Sequence, residues 1–276
     1  MSELDTTFDD AVADDHRSGV VAVVGRPNVG KSTLINAILG QKIAIVTPRP
    51  QTTQRRQLGI YTEARGQILF VDTPGLHTPH HKLGEFMVTV AEDALRDADI
   101  ILWVLDASVP PHPADMHIAE TVKRTRGSTP VVLALNKADL IGSSAGHEAA
   151  LAAYSEIVPH EAALFLSALK AEGVRELVDD LLVRLPVGPR YYPADQVSEV
   201  NMRFIAAEVI REKIMLRTEE EIPHAVAVEV ESYKERSDTM TYISAIVYVE
   251  RDSQKAIVIG KGGAMIKQIG TDARRE

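Results

Sequence analysis

Gly25-Arg26-Pro27-Asn28-Val29-Gly30-Lys31-Ser32 lies between two patterns that decide how it is read. Before it, Val20 to Val24 is an unbroken apolar run of the kind that forms a buried parallel strand. After it, Thr33-Leu34-Ile35-Asn36-Ala37-Ile38-Leu39 has helical spacing and stops at Gly40, a residue suited to a helix C-terminus. In a strand–loop–helix of this kind, successive backbone N–H groups and a helix N-terminus converge on an anion. The pattern is that of a phosphate-binding P-loop, in which Lys31 reaches the β- and γ-phosphates and the Ser32 hydroxyl ligates Mg2+. Gly25, Arg26, Pro27, Asn28, Val29, Gly30, Lys31, Ser32 and Thr33 are therefore the candidate phosphate-binding residues.

Outward from this loop, apolar runs and helical patterns alternate. Gln57 to Tyr61 and Gln67 to Val71 read as a hairpin turning at Glu63-Ala64-Arg65-Gly66. A helix is expected at about Leu83 to Ala98, then a strand Ile100 to Leu105, a helix His117 to Lys123 with its flanks, and a strand Val131 to Leu135. A helix around Ala149 to Ile157, a strand Ala163 to Leu166 and a helix Gly173 to Arg184 complete the set. The alternation predicts an α/β P-loop NTPase domain, residues 19–185, with a mainly parallel sheet covered by helices on both faces. Residues 186–197, with prolines at 186, 189 and 193, read as a linker, and residues 198–276 as a second domain of α+β type. There a helix Val200 to Leu216 precedes strands His224 to Val230 and Thr241 to Val249, a helix Ser253 to Ile259, Gly260-Lys261-Gly262-Gly263 and a last helix.

Composition narrows the classes. The 276 residues contain no cysteine, which removes disulfides, thiolate metal sites and cysteine nucleophiles. No apolar run is long enough for a membrane helix, and residues 1–18 lack the apolar core of a signal peptide. That leader, acidic through Glu3, Asp5, Asp9, Asp10, Asp14 and Asp15, is expected to be disordered. The net charge of −9 argues against a chain that is basic throughout.

Two strand exits carry further chemistry. Asp72-Thr73-Pro74-Gly75 follows the second hairpin strand, placing Asp72 where a Mg2+ carboxylate is wanted and Gly75 where a backbone N–H can approach the γ-phosphate. Asn136-Lys137-Ala138-Asp139 selects the base. A carboxylate accepts two parallel hydrogen bonds, and guanine offers the matching donors at N1 and N2 whereas adenine does not. Asp139 is thus assigned to guanine, with Asn136 bracing the loop and the Lys137 stem covering the ring. Leu76 stands where many GTPases place a water-orienting glutamine, so hydrolysis is expected to be slow. His77, His80 and His81 are read as solvated loop histidines rather than a metal site, Trp103 as core, and Asp93, Asp97 and Asp99 as a solvated helix end.

These motifs, with Ser167-Ala168-Leu169, resemble the G-motifs of translation-factor-class GTPases in order and spacing. Pro50-Gln51-Thr52-Thr53 and Phe70 to His77 resemble the Era family in particular. The resemblance implies that Thr53, with Thr52 as the alternative, closes on Mg2+ and the γ-phosphate. It implies that Ala168 offers its N–H to the guanine oxygen, and that Asn28 helps hold K+ near the phosphates. Lys31, Thr53, Gly75 and Asn28 would then serve catalysis, with GTP, GDP and Mg2+ as cofactors and K+ as a hypothesis.

In the second domain, Gly260 to Gly263 sits as the GxxG loop of a KH domain does when it clamps single-stranded RNA. Lys255, Lys261 and Lys267 supply local positive charge, and Ile257, Ile259 and Ile266 either line a groove or belong to the core. Era proteins likewise place one KH domain after one GTPase domain. This resemblance implies binding to the 3′ end of 16S ribosomal RNA, a role in maturing the 30S subunit, a monomer and a cytoplasmic place. A type II KH domain needs another strand beyond Glu276, so the domain is expected to be incomplete within this sequence. Two rival readings are an RNA-assembly factor with negligible turnover and a peripheral GTPase at the inner face of the membrane.

Overall fold

The order of the strands explains where a ligand can bind. The computed structural model describes residues 14–41, 57–72, 92–198, 202–219, 222–237 and 240–276, which fall into two compact units divided at residue 199. In the first unit the sheet runs β2-β3-β1-β4-β5-β6. β2 (Gln57–Glu63) is antiparallel to β3 (Gly66–Asp72), as the hairpin reading expects. β3, β1 (Arg17–Val24), β4 (Ile100–Asp106), β5 (Val131–Asn136) and β6 (Ala162–Phe165) are mutually parallel. The chain leaves β1 with β3 on one side and β4 on the other, so the phosphate loop opens at the switch point, where such sheets bind ligands.

Alternate residues of β1 serve opposite cores. Val21 and Val23 pack with Leu34, Ile35 and Ile38 of α1 (Lys31–Leu39) and with Leu177, Val178 and Leu181 of α4 (Val174–Arg184). Ala22 and Val24 join Trp103, Leu105, Ile118 and Val122 of α2 (Pro113–Thr125), and Tyr154 of α3 (Ser144–Ser155). β3 and β4 are buried along their whole length, which explains their unbroken apolar runs. Trp103 is fully buried, as its reading as core requires. Of the helix expected at 83–98, residues 92–98 are described, and the helix ends at residue 96. Asp93, Asp97 and Asp99 are exposed, as their reading as solvated expects, and Asp99 Oδ2 also accepts the Val20 N–H at 2.8 Å, extending the pairing of β1.

Two further segments differ from expectation. β1 begins at Arg17, inside the stretch assigned to the acidic leader, because Arg17 and Ser18 are bonded: their N–H groups donate to Arg65 O and Pro186 O, both at 3.1 Å. The proline-rich stretch after α4 is anchored rather than free. Ser18 Oγ donates to Pro189 O (2.6 Å), Ile60 N–H to Val197 O (2.8 Å) and Ser198 Oγ to Leu58 O (2.9 Å). Gln67, fully buried, accepts from the N–H groups of Tyr191 and Tyr192 and donates to Tyr192 O and Thr62 Oγ1. Every hydrogen-bonding position of that amide is used.

In the second unit, α5 (Met202–Arg217) precedes an antiparallel pair, β7 (Val226–Ser237) and β8 (Met240–Val249), then α6 (Asp252–Ile259) and α7 (Ala264–Arg275). Val226 and Val228 pair with Val249 and Val247, and all four pack with Ile214, Val258 and Ile269. The register shifts between Val230 and Ser232, and beyond it Tyr242 and Ile243 are exposed.

Candidate nucleotide site and nucleic-acid interface

The phosphate loop has its shape because three backbone positions leave the ordinary regions. Gly25 has φ 150°, Asn28 φ 64° and Gly30 φ 102°. A Cβ on Gly25 would lie 2.3 Å from the Val104 carbonyl oxygen, and one on Gly30 2.3 Å from Asn136 Nδ2. Glycine is thus required at both by close approach. Asparagine tolerates the left-handed region better than most residues, which gives the exposed Asn28 a local reason to be there. Gly30 caps α1 without a side-chain hydrogen bond, leaving first-turn N–H groups for a ligand.

Lys31 is buried, and its Nζ donates to Gly25 O (2.8 Å) and Arg26 O (3.1 Å). Burial pushes its pKa below the usual lysine value, with the Asp72 carboxylate partly opposing that shift. An arriving phosphate would favour the charged form further. Ser32 Oγ donates to Asp72 Oδ2 at 3.3 Å. A hydroxyl in the first turn of α1 and a buried carboxylate at the end of β3 are the hard oxygen donors that Mg2+ prefers, so these two residues fit that ion.

Asn136 ties the two ends of the site together. Its Nδ2 donates to Val29 O (2.8 Å) and its Oδ1 accepts the Ala168 N–H (2.9 Å). The N–H assigned to a guanine oxygen is therefore engaged within the protein, and that bond must fork or open to reach a base. Lys137, at φ 64°, sends Nζ to Asp106 Oδ2 at 2.6 Å. Asp139 lies in the tight turn Ala138–Leu140 with its side chain 10% exposed, and Lys170 Nζ is 3.7 Å from its Oδ2. Ser167 is buried and its Oγ accepts the Lys170 N–H, whereas Leu169 is 83% exposed beside this loop. Thr52, Thr53, Thr73, Pro74, Gly75, Leu76, His77, His80 and His81 lie outside the described residues.

The sequence reading missed Asp106 and Asp115. Arg26 Nε lies 3.4 Å from Asp115 Oδ2, and Arg26 Nη2 lies 3.8 Å from Asp106 Oδ2. A carboxylate closing the apolar run Ile100 to Leu105 at the ligand end of a strand was the available signal.

The turn between α6 and α7 has three left-handed glycines in four residues: Gly260 (φ 71°), Gly262 (φ 60°) and Gly263 (φ 79°). A Cβ on Gly260 would meet Met265 Cβ at 2.7 Å, while Gly262 and Gly263 face open space. Lys255, Lys261 and Lys267 are exposed around it. Ile257, Ile259 and Ile266 are 51%, 38% and 42% exposed, and the core takes Val258, Met265 and Ile269 instead. The alternative left open for the three isoleucines is thereby decided for the surface. An open glycine turn with lysines and exposed apolar side chains offers charge to a phosphodiester backbone and faces to bases.

A phosphate loop, a Ser–Asp pair suited to Mg2+ and an Asn-Lys-x-Asp base loop on one mainly parallel sheet define a P-loop GTPase, and the second unit is of the KH class. Residues 20–137 match the family described as 50S ribosome-binding GTPase, and residues 221–276 match the KH domain family. GTPase Era of Thermotoga maritima is 47% identical over 260 residues, which cover 94% of this chain and 86% of that protein. GTPase Era of Carboxydothermus hydrogenoformans is 45% identical over 262 residues, covering 95% and 87%. A crystal structure of Aquifex aeolicus Era bound to GDP·AlF4− aligns with a TM-score of 0.87 at 38% identity, covering 94% of this chain and 88% of that one. Era in complex with MgGDPNP and nucleotides 1506–1542 of 16S ribosomal RNA aligns with the same TM-score at 37% identity, with the same coverage. The chain belongs to the GTPase Era family.

Proposed function

We propose that this chain binds and hydrolyses GTP and, through its KH unit, binds the 3′ end of 16S ribosomal RNA to assist maturation of the 30S subunit. The observation that carries this reading is its likeness, across both units, to an Era structure that holds MgGDPNP and 16S nucleotides together. The geometry supports named roles. Lys31 and the loop N–H groups take the phosphates, Ser32 and Asp72 hold Mg2+, and Asp139 selects guanine with Asn136 and Ala168 as its frame. Bound Mg2+ neutralises phosphate charge. Thr53 and Gly75 are assigned to closing on the γ-phosphate, and Gly260 to Gly263 with Lys255 and Lys267 to the RNA backbone.

Leu76 cannot orient a water, so intrinsic turnover is slow, and K+ at Asn28 is the proposed supplement. The same residue favours a second reading, an assembly factor whose own turnover is negligible. GTP hydrolysis in K+ against Na+, with and without small-subunit RNA, separates the two. The protein is assigned to the cytoplasm as a monomer. Among the described residues no helix is long and apolar enough to cross a membrane, and a peripheral membrane role has no observation in its favour. Crosslinking to cellular RNA with a non-hydrolysable GTP analogue bound should recover 16S 3′-end sequence. Recovery of other RNA alone would remove the ribosomal assignment and leave the GTPase standing.

A further inference from the structure

Two cations from opposite ends of the nucleotide site converge on one carboxylate oxygen. Lys137, from the base loop, donates Nζ to Asp106 Oδ2 at 2.6 Å, and Arg26, from the phosphate loop, brings Nη2 to 3.8 Å of the same oxygen. Asp106 is itself held in place. Its Oδ1 accepts from Ser108 N–H (3.2 Å) and Ser108 Oγ (2.5 Å), and its carbonyl accepts from the buried Tyr154 hydroxyl at 2.8 Å. Burial alone would raise the pKa of this carboxyl, yet the bonds from Lys137 and Ser108 hold it below the usual carboxylate range. It is therefore charged at neutral pH. Arg26 has a second anchor in Asp115, which is fully buried and whose Oδ2 also accepts the His112 N–H at 2.9 Å. Two guanidinium and ammonium charges thus face two carboxylates, all of them less than one-third exposed.

We propose that Asp106 is a positioning residue that couples the phosphate loop to the base loop, with Asp115 anchoring the phosphate-loop arginine. Arg26 sits in a loop built to receive phosphate, yet its guanidinium is committed to Asp106 and Asp115, which fixes the loop from its outer side. Lys137 is steered by the same oxygen, which sets the course of the stem assigned to the base. Removing either cation leaves Asp106 neutralised by the other. Removing both leaves a buried anion beside a nucleotide that is itself anionic, so the two losses should reinforce each other.

The inference rests on the GTPase reading, and the test separates the two. GDP affinity is measured by calorimetry for the wild-type chain, Arg26→Gln, Lys137→Gln and the double variant, then for the same set carrying Asp106→Asn. The double variant should lose at least about threefold more affinity than the product of the single losses, a coupling within the range found for residues sharing a network. In the Asp106→Asn background that excess should vanish. A carboxylate that merely supported the fold would leave the losses multiplicative in both backgrounds, and that result, or a smaller loss, overturns the coupling. If Asp106→Asn does not fold, the cycle in the intact background decides by itself. Absence of GDP binding by the wild-type chain would instead overturn the GTPase reading.

Discussion

Asn136 is the residue on which the nucleotide site turns. It spends both ends of its amide on backbone, one on the phosphate loop and one on the 167–169 loop. Asn136→Ala should lower GDP affinity by at least tenfold and destabilise the first unit by about 1–3 kcal/mol, because a buried donor and a buried acceptor lose their partners. Titration and thermal unfolding of the same variant check both halves. Asp139→Asn should act differently. An amide cannot accept both guanine donors, but it can donate to the additional oxygen of xanthine. Preference should therefore pass from GTP to XTP, with stability nearly unchanged, and competition between the two nucleotides reads this directly. Asp139 could be proposed from its motif because base selection demands a particular functional group. Asp106 was not, because a charge at a strand end has no partner until folding brings Arg26 and Lys137 to it.

At the scale of elements, strands were easier to read than what is bonded to them. Apolar runs disclosed β3, β4 and β5, since strands buried on both faces have no polar side to interrupt them. Prolines marked 186–197 as a break but could not reveal that Gln67 and the β2 edge secure it, since those bonds join residues over a hundred positions apart. Gln67→Leu should lower the unfolding free energy of the first unit by about 2 kcal/mol, because the backbone groups of Tyr191 and Tyr192 lose their partners. Urea denaturation measures this. A second tie joins the β2–β3 turn to α4, where Glu63 and Asp179 share Arg65 and Arg175. Burial alone would raise the Glu63 pKa, but hydrogen bonds from Arg65, Tyr61 and Arg175 hold it low, and the Arg65 bond does the same for Asp179. Both folded values lie below the unfolded ones. The stability they contribute is therefore present above about pH 4 and lost as the pH falls through the folded values. Melting temperature against pH should show this loss in the wild type, and Arg65→Met should flatten it.

On the scale of the whole molecule, the sequence disclosed two units and their chemistry because each carries a motif whose spacing is set by its ligand. The proposed RNA surface of the second unit was only half legible. Periodicity places Ile257, Ile259 and Ile266 on helices, but their exposure depends on which neighbours cover them, and Val258 and Ile269 fill the core instead. Binding through the exposed lysines should weaken steeply with salt, and Lys261→Ala should reduce that salt slope by about one phosphate contact. We propose that GTP binding in one unit favours RNA binding by the other, because the similar Era structure holds MgGDPNP and 16S nucleotides together. The most direct test of this central claim is the equilibrium affinity of the full chain for a 16S 3′-end fragment, measured in Mg2+ with GDPNP and then with GDP. The account predicts at least tenfold tighter binding with GDPNP, and equal affinity in the two nucleotide states would contradict it.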